Sequence, residues 1–253
     1  MKTGINHKSH LELSSITEQL LLNGTLTKCP GLLYGKVGIA IFFFHYARYT
    51  QNTLYANYAM DLIEISLQQL HANYRADYEK GIAGIGVGLG YLIEKGFLDF
   101  VEDTFEDLDE RMYRAVWYDP CSNFSQYQGL IGYEKYWIMR LRQTPSSIQA
   151  QNCLQRITER VEMEIQEISS EEWLDVYRSF CDLQTYSDLD ISSELFERSR
   201  QEAHVLGGVA SKQTLDLNQT EETSSMGILG TAGKGLKLLT ALEAINGDWE
   251  TLI

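Results

Sequence analysis

Three stretches of the chain carry apolar residues at the spacing of an amphipathic helix. Their apolar positions are Leu54, Tyr58, Leu62 and Ile65; Phe105, Leu108 and Met112; and Leu154, Ile157, Val161, Ile165 and Ile168. Polar residues fill the positions between them, for example Glu159 and Glu162 in the third stretch. Steps of three and four residues place side chains on the same face of a helix, so each stretch predicts a helix with one buried face.

A second kind of stretch is apolar at almost every position. The residues from Gly38 to Tyr46 form one such run. A helix that is apolar on every side is buried on every side. The alternation of the two kinds predicts a repeating unit, which consists of an amphipathic outer helix, a loop, and a buried inner helix.

Each apolar run contains or follows a pair of glycines three residues apart, and the pairs recur along the chain. The segments are LLYGKVGIAIFFF, YEKGIAGIGVGLGYL, QYQGLIGYEKYWI and GILGTAGKGLKLL, and their paired glycines are Gly35 and Gly38, Gly81 and Gly84, Gly129 and Gly132, and Gly230 and Gly233. The first glycines are 46, 48 and 101 residues apart, so one further unit, without glycines, is expected near residue 180. Glycines at this spacing share a helix face and admit a neighbouring backbone, so we interpret all eight as structural.

Five helix pairs account for the pattern, and we expect an all-α fold. The pairs are 10–22 with 35–49, 52–72 with 81–95, 101–117 with 129–142, 146–170 with 172–186, and 192–206 with 226–243. The polar, turn-rich residues 207–225 predict an exposed loop. The chain has three prolines and no linker rich in Pro, Gly or Ser, which favours helices within a single domain over 1–253.

The charge balance argues against two classes of partner. With 21 Lys and Arg residues against 35 Asp and Glu residues, the net charge is −14, which disfavours nucleic acids and anionic membranes. The sequence shows no signal-peptide pattern, and its longest apolar runs are too short to span a bilayer, so we expect a cytoplasmic protein. In that reducing compartment the cysteines are expected to be free thiols, namely Cys29, Cys121, Cys153 and Cys181.

The glycine segments resemble those of the lanthionine synthetase C-like (LanC-like) family over roughly residues 30–243. The strongest matches are GLLYGKVGIAIF, GIAGIGVGLGYLIEKGFLD and GILGTAGKGLKLL. This resemblance implies an α/α toroid, in which an inner barrel of helices lies inside an outer ring and the glycine loops converge on a cavity. Full-length cyclases of the family contain more helical hairpins than the five expected here.

The zinc ligands that the resemblance implies have no counterpart at the matching positions. Enzymatic members carry two cysteines and a histidine just before the first glycines of late repeats. Here the residues before each first glycine are Leu33 and Tyr34, Glu79 and Lys80, Tyr127 and Gln128, and Ile228 and Leu229. We therefore expect a protein without zinc or another cofactor. A displaced ligand set of Cys121, Cys181 and His204 stays open at this point.

The resemblance also indicates which residues would line the mouth of the cavity. They are the polar and aromatic side chains beside the glycines: Tyr34, Lys36, Glu79, Lys80, Tyr127 and Gln128. The amino ends of the inner helices would point to the same mouth, where their N–H groups favour an anionic or carbonyl-bearing ligand. His45 lies within an inner helix, and we expect a core histidine bonded to a neighbour.

Three functions are compatible with these patterns. The leading interpretation is a non-zinc peptide-binding or accessory protein of a peptide-modification pathway, whose partner is a peptide or a protein. The second is an enzyme, either a cyclase with a relocated metal or a carboxylate-using hydrolase. For a hydrolase, Glu79 and Glu134 are better placed than the acidic run 102–110, which we interpret as a solvated helix start. The third is a structural helical-repeat module.

Overall fold

All regular structure in the described chain is helical. The computed structural model describes residues 2–100, 102–119, 121, 123–187, 189, 191–210 and 225–253, with the backbone alone at 2–7, 102–103 and 205–210. Its helices are α1 (Lys2–Asn23), α2 (Lys36–Thr50), α3 (Thr53–Gln68), α4 (Ile82–Glu94), α5 (Glu106–Tyr118), α6 (Leu130–Gln143), α7 (Ile148–Met163), α8 (Trp173–Tyr186), α9 (Ser193–Ala210) and α10 (Thr231–Ala241), with 3₁₀ helices at Glu102–Phe105 and Gly247–Leu252. These residues contain no strand, so the predicted all-α class is confirmed. The helical structure is consistent with the α/α toroid that the resemblance implies.

Most helices begin and end within a few residues of the predicted positions. The helices α2, α4, α6 and α10 each begin one residue after the first glycine of a pair, and α8 occupies the segment near residue 180 that lacks glycines. The amphipathic stretches form α3, α5 and α7. The largest differences are at α1, which begins at Lys2 rather than at 10, and at α7, which ends at Met163 rather than at 170, so that Ile165 and Ile168 of the predicted stripe lie beyond the helix. The helix α9 continues to Ala210 and makes residues 207–210 of the predicted loop helical. The remainder of that loop, 211–224, lies outside the described residues.

Burial separates the two kinds of helix. The helix α2 is buried continuously from Lys36 to His45, whereas the buried residues of α3 are Ala59, Leu62, Ile63 and Ser66. The predicted stripe of α3 is therefore largely wrong. Of its four positions only Leu62 is buried, Leu54 is 70% exposed, and the buried face is rotated around the helix from the predicted one. The predicted face of α5 is confirmed, since Leu108 and Met112 are buried.

The chain forms two compact units. Unit 1 comprises residues 1–75, 79–100 and 219–253, and unit 2 comprises residues 76–78 and 101–218. Within unit 1, α2 packs against α3, α4 and α10, and α1 packs against α10. Within unit 2, α6 packs against α7 and α8, while α5 packs against α7 and α9 against α8. The single domain expected over 1–253 stays a prediction.

The main helix hairpins are offset by one helix from the predicted pairs. The helix α2 pairs with α3, α6 with α7, and α8 with α9, so each of these three inner helices pairs with the outer helix that follows it. The connections explain this, because only residues 51–52 separate α2 from α3, whereas residues 24–35 separate α1 from α2. Short connections make consecutive helices antiparallel neighbours, and long loops carry the chain to a different neighbour.

Candidate functional site

Each inner helix that follows a glycine pair is capped by its own loop. The first amide of the helix donates to a carbonyl six or seven residues earlier in the chain. These bonds run from Lys36 N to Cys29 O (3.0 Å), from Ile82 N to Arg75 O (3.0 Å), from Leu130 N to Asn123 O (3.1 Å) and from Thr231 N to Ser225 O (2.9 Å). Amides at a helix N-terminus have no partner within the helix. The expectation that these amides serve an anionic ligand is wrong for the first donors, because the loop already satisfies them.

The capping loop leaves no space for a side chain at the paired glycines. A Cβ on Gly35 would overlap the carbonyl oxygen of Cys29, and a Cβ on Gly38 would overlap that of Leu32. The same overlap recurs at Gly129 with Asn123, Gly132 with Gln126, Gly230 with Ser225, and Gly233 with Ile228. The N-cap glycines have negative φ angles, from −131° to −103°. The requirement is therefore space rather than a left-handed backbone. The remaining pair, Gly81 and Gly84, is also buried.

In unit 1 the first glycine segment packs between the fourth and the second, backbone against backbone. The amide of Leu229 donates to the carbonyl of Leu33 at 3.0 Å. On the other side, a Cβ on Gly31 would lie 2.8 Å from the Cα of Lys80. Such close approach fixes the loops relative to one another and brings together the side chains that flank the glycines of the first and second segments.

Tyr34, Glu79 and Lys80 form a loop cluster in unit 1. The Nζ atom of Lys80 lies 5.1 Å from the centre of the Tyr34 ring and 3.3 Å from Oε1 of Glu79. The Lys80 side chain is 43% exposed and the Glu79 side chain 12% exposed. Three of the predicted contact residues therefore meet, and they offer an aromatic ring, an ammonium group and a carboxylate within one partly exposed surface.

Lys36, predicted at the same mouth, lies in the core instead. It is 1% exposed, and its Nζ donates to the carbonyl of Thr27 and, at 3.1 Å, to Oε1 of Gln69. Burial lowers the pKa of Lys36. This corrects the expectation for Lys36, because its ammonium group joins the loop before α2 to the end of α3 and does not reach the surface.

Tyr127 and Gln128 belong to unit 2, where they are exposed on the third glycine loop. The backbone amide of Gln128 donates to Oγ of Ser125 at 3.1 Å. Burial raises the pKa of Tyr78 above its usual value, and the electrostatic interaction with Tyr127 raises this pKa as well. The third loop therefore presents an aromatic and an amide side chain on a locally ordered turn.

Two carboxylates at the start of α8 hold this third loop, and sequence reasoning missed both. Oε1 of Glu172 accepts from the amide of Phe124 at 2.7 Å, and Oδ2 of Asp175 accepts from the amide of Gln126 at 2.8 Å. Acidic residues at a helix start suit the helix dipole, and their enrichment there was the available signal. Here they serve a neighbouring loop, which no periodicity in the sequence indicates.

The residues of the displaced metal set do not form a zinc site. The Sγ atom of Cys121 contacts the carbonyl oxygens of Asn123 and Gln128 at 3.7 Å and 3.9 Å, and burial raises the pKa of Cys121. His204 is exposed on α9, and Cys181 is half-buried on α8. Within the described part of the chain, no three His, Cys, Asp or Glu side chains are grouped as metal ligands. These residues do not fit the zinc that the resemblance implies, since thiolates and imidazoles must converge on one point.

Glu134 is a buried acid on α6, four residues into the helix that follows the third glycine loop. It is 1% exposed, and it accepts a hydrogen bond from Oγ of Ser179 at 2.5 Å. Burial, together with the nearby carboxylate of Asp182, raises the pKa of Glu134 to about 8, against the opposing effect of the hydrogen bond from Ser179. Such a group holds its proton at neutral pH, although nothing about its position in the sequence indicates that its partner is a serine on α8.

His45 is a core histidine, as predicted. Its Nε2 atom lies 2.7 Å from the hydroxyl of Tyr91, and the residue is 6% exposed. Burial lowers the pKa of His45 to about 4, and the positive charges of Arg48 and Lys95 act in the same direction. The imidazole is therefore neutral at physiological pH and contributes to the packing of unit 1.

Comparison with solved structures finds a structural likeness. No protein-family model and no curated protein matches this chain. A solved structure titled nisin cyclase is similar to it with a TM-score of 0.44 and 14% sequence identity, and the match covers 98% of this chain and 97% of that one. None of the helices described for this chain is both long and apolar enough to cross a membrane.

Proposed function

We propose that this protein is a LanC-like peptide-binding protein that works without zinc, as an accessory component of a peptide-modification pathway. The observation that carries the proposal is the loop cluster of Tyr34, Glu79 and Lys80. These three side chains lie on two glycine segments whose backbones are in contact, so their positions are fixed before any ligand arrives.

The chemistry of the loop cluster suits a peptide. The ammonium group of Lys80 can donate to peptide carbonyls or carboxylates, and the carboxylate of Glu79 can accept from peptide N–H groups. The ring of Tyr34 offers an apolar surface with a polar edge, a combination that is enriched where proteins bind peptides and proteins. Rigid presentation limits the entropy that is lost on binding.

The donor set favours binding over thiol activation. A lanthionine-forming enzyme must stabilise a thiolate, which the family achieves with zinc. The positions that the resemblance assigns to the ligands hold Leu, Tyr, Glu, Lys, Gln and Ile. None of these side chains supplies a thiolate or an imidazole, and a single carboxylate without further ligands binds zinc weakly. The protein therefore presents or protects a peptide that other components modify.

The proposal is tested by titrating the protein against a fluorescently labelled, dehydrated lanthipeptide precursor and measuring fluorescence anisotropy. Tyr34→Ala and Lys80→Ala should each weaken binding about tenfold, equivalent to about 1.4 kcal/mol. Tyr118→Ala and Lys237→Ala serve as matched controls, because both residues are exposed and neither belongs to the loop cluster. The proposal fails if the wild-type protein does not bind, or if the loop-cluster variants bind as tightly as the controls.

A further inference from the structure

Glu134 and Ser179 form a buried link between two helices of unit 2. Glu134 lies on α6 and Ser179 on α8, and they are 1% and 3% exposed. The hydroxyl of Ser179 donates to Oε2 of Glu134 at 2.5 Å, where α6 and α8 pack together. Burial favours the neutral acid at Glu134, because a carboxylate in the same place would need a cation to offset its desolvation. The hydrogen bond from Ser179 acts in the opposite direction and lowers the pKa of Glu134, but burial is the larger effect.

The charged groups around this link do not supply that cation at contact distance. Asp182 of α8 opposes ionisation of Glu134, and Lys135 of α6 favours it. None of the ion pairs in the described part of the chain includes Glu134, and Nζ of Lys135 lies over the ring of Tyr78, 5.8 Å from its centre.

The helices α5 and α7 also pack against α6, but their charged residues at this contact pair with residues other than Glu134. Asp109 of α5 pairs with Arg140, and Arg160 of α7 pairs with Glu164. The local charge balance at Glu134 is therefore set by α6 and α8 themselves.

The same α8 helix also anchors the third glycine loop. Glu172 and Asp175, at its start, accept hydrogen bonds from the backbone amides of Phe124 and Gln126. Ser179 lies one turn after Asp175 on the same helix. A shift of α8 away from α6 would therefore disturb the buried link and the loop anchors together.

We propose that Glu134 and Ser179 form a proton-linked latch between α6 and α8, which secures the loop at 123–128 while the carboxyl holds its proton and loosens as the pH rises. The inference concerns the dynamics of unit 2 and does not depend on the proposed peptide-binding function. It assigns a role to a buried acid that the loop cluster does not use.

The direction of the pH effect follows from proton linkage. Glu134 has a pKa of about 8 when buried, and an exposed glutamate has a pKa of about 4.3. Opening the α6–α8 contact therefore releases a proton at intermediate pH. Between these two values the opening equilibrium should increase by up to about tenfold for each pH unit, and it should level off above the higher value.

Hydrogen exchange of the full-length protein at about pH 5 and pH 8, with rates corrected for intrinsic exchange, tests the latch. Protection of the Phe124 and Gln126 amides and of the α6 and α8 amides should fall at least tenfold at the higher pH. In Glu134→Gln, which cannot ionise, protection should change little between the two values. Glu162→Gln, an exposed glutamate on α7, should behave as the wild type does.

The wild-type measurement decides the matter even if Glu134→Gln does not fold. Unchanged protection of these amides across the pH range would overturn the proposal. An equal loss of protection in Glu134→Gln and in the wild type would do the same. As an independent readout, infrared difference spectra of the wild-type protein should show a protonated carboxyl at neutral pH, and its absence would also contradict the latch.

Discussion

The carbonyl oxygen of Leu32 occupies the space that a side chain on Gly38 would need. A Cβ at that position would also lie 2.7 Å from the backbone nitrogen of Ile228. Two backbone segments therefore close on Gly38, one from its own loop and one from the fourth glycine segment. Backbone atoms cannot rotate away as the end of a side chain can, so a larger residue must displace whole loops.

Replacing Gly38 by alanine should destabilise the protein. We expect Gly38→Ala to lower the free energy of unfolding by about 1–3 kcal/mol, because overpacking forces the backbone to shift. Gly247→Ala is the matched control, since the nearest atom to its Cβ, Oε2 of Glu250, lies 3.9 Å away. Urea denaturation followed by circular dichroism measures both. Equal midpoints for the two variants would show that the glycine spacing has no steric role.

Sequence alone predicted the helices well, because burial and glycine spacing leave periodic traces. The continuous burial of α2 and the start of each inner helix follow directly from such patterns. Which helices become neighbours could not be read in this way, since it depends on the length and path of the loops. Leu54 shows a related limit: it fits the apolar spacing, yet it lies at the exposed start of α3.

The candidate site was less predictable than the fold. Residues close together in one glycine segment can lie in different environments. Tyr34 belongs to the loop cluster, whereas Lys36, two residues later, is buried in the core. The difference arises because Lys36 is the first residue of α2 and Gln69, at the end of α3, accepts its hydrogen bond. Partners that distant in sequence leave no local pattern.

Asp109 in the acidic run 102–110 is a structural residue, whereas Glu106, Asp107 and Glu110 of the same run are exposed. Asp109 accepts from Nε and Nη2 of Arg140 and from the hydroxyl of Tyr136, which lies 2.5 Å from its Oδ1. The side chains of Arg140 and Asp109 are 11% and 16% exposed. The interpretation of this run as a solvated helix start is therefore wrong for Asp109.

Removing the carboxylate of Asp109 should be costly, because it leaves a buried guanidinium without its partner. We expect Asp109→Ala to lower the free energy of unfolding by about 3 kcal/mol. Asp107→Ala should change it by less than about 0.5 kcal/mol, since Asp107 is 66% exposed and pairs with Arg111 on the surface. Guanidinium denaturation distinguishes the two, and similar losses in both variants would contradict this assignment.

His45 should make unit 1 sensitive to acid. Its pKa is about 4 in the folded protein and about 6.5 when exposed, so the unfolded chain binds a proton that the folded chain does not. The stability that this difference in pKa contributes is fully present above about pH 6.5, the pKa of the exposed histidine. It is lost as the pH falls toward about 4, the pKa of His45 in the folded protein. His45→Gln removes this titration while it keeps a hydrogen-bonding side chain beside Tyr91.

The expected result is a pH-dependent difference between the wild type and His45→Gln. From pH 7 to pH 5 the wild type should lose about 2 kcal/mol relative to the variant. Thermal unfolding at the two pH values measures this, and the titration of Glu134 cancels because both proteins contain it. His10→Gln, at an exposed position, should track the wild type. A constant difference between the wild type and His45→Gln would rule out the proposed titration.

The absence of zinc is a separate prediction about the purified protein. We expect elemental analysis, on protein prepared without chelator or affinity tag, to find far less than one zinc per chain. Cys181→Ala is the informative variant, because Cys181 belongs to the displaced ligand set that the sequence left open. Stoichiometric zinc that disappears in Cys181→Ala would favour the relocated-cyclase interpretation.

The central claim is that this chain binds a peptide without performing metal-dependent thiol chemistry on it. The most direct test combines the dehydrated lanthipeptide precursor with the wild-type protein, in one buffer that contains a zinc chelator and in another that contains added zinc. We predict the same dissociation constant in both buffers. We also predict that every thiol of the recovered peptide still reacts with an alkylating reagent, as measured by mass spectrometry. Loss of binding with the chelator, or loss of peptide thiols beyond that seen without protein, would contradict the account.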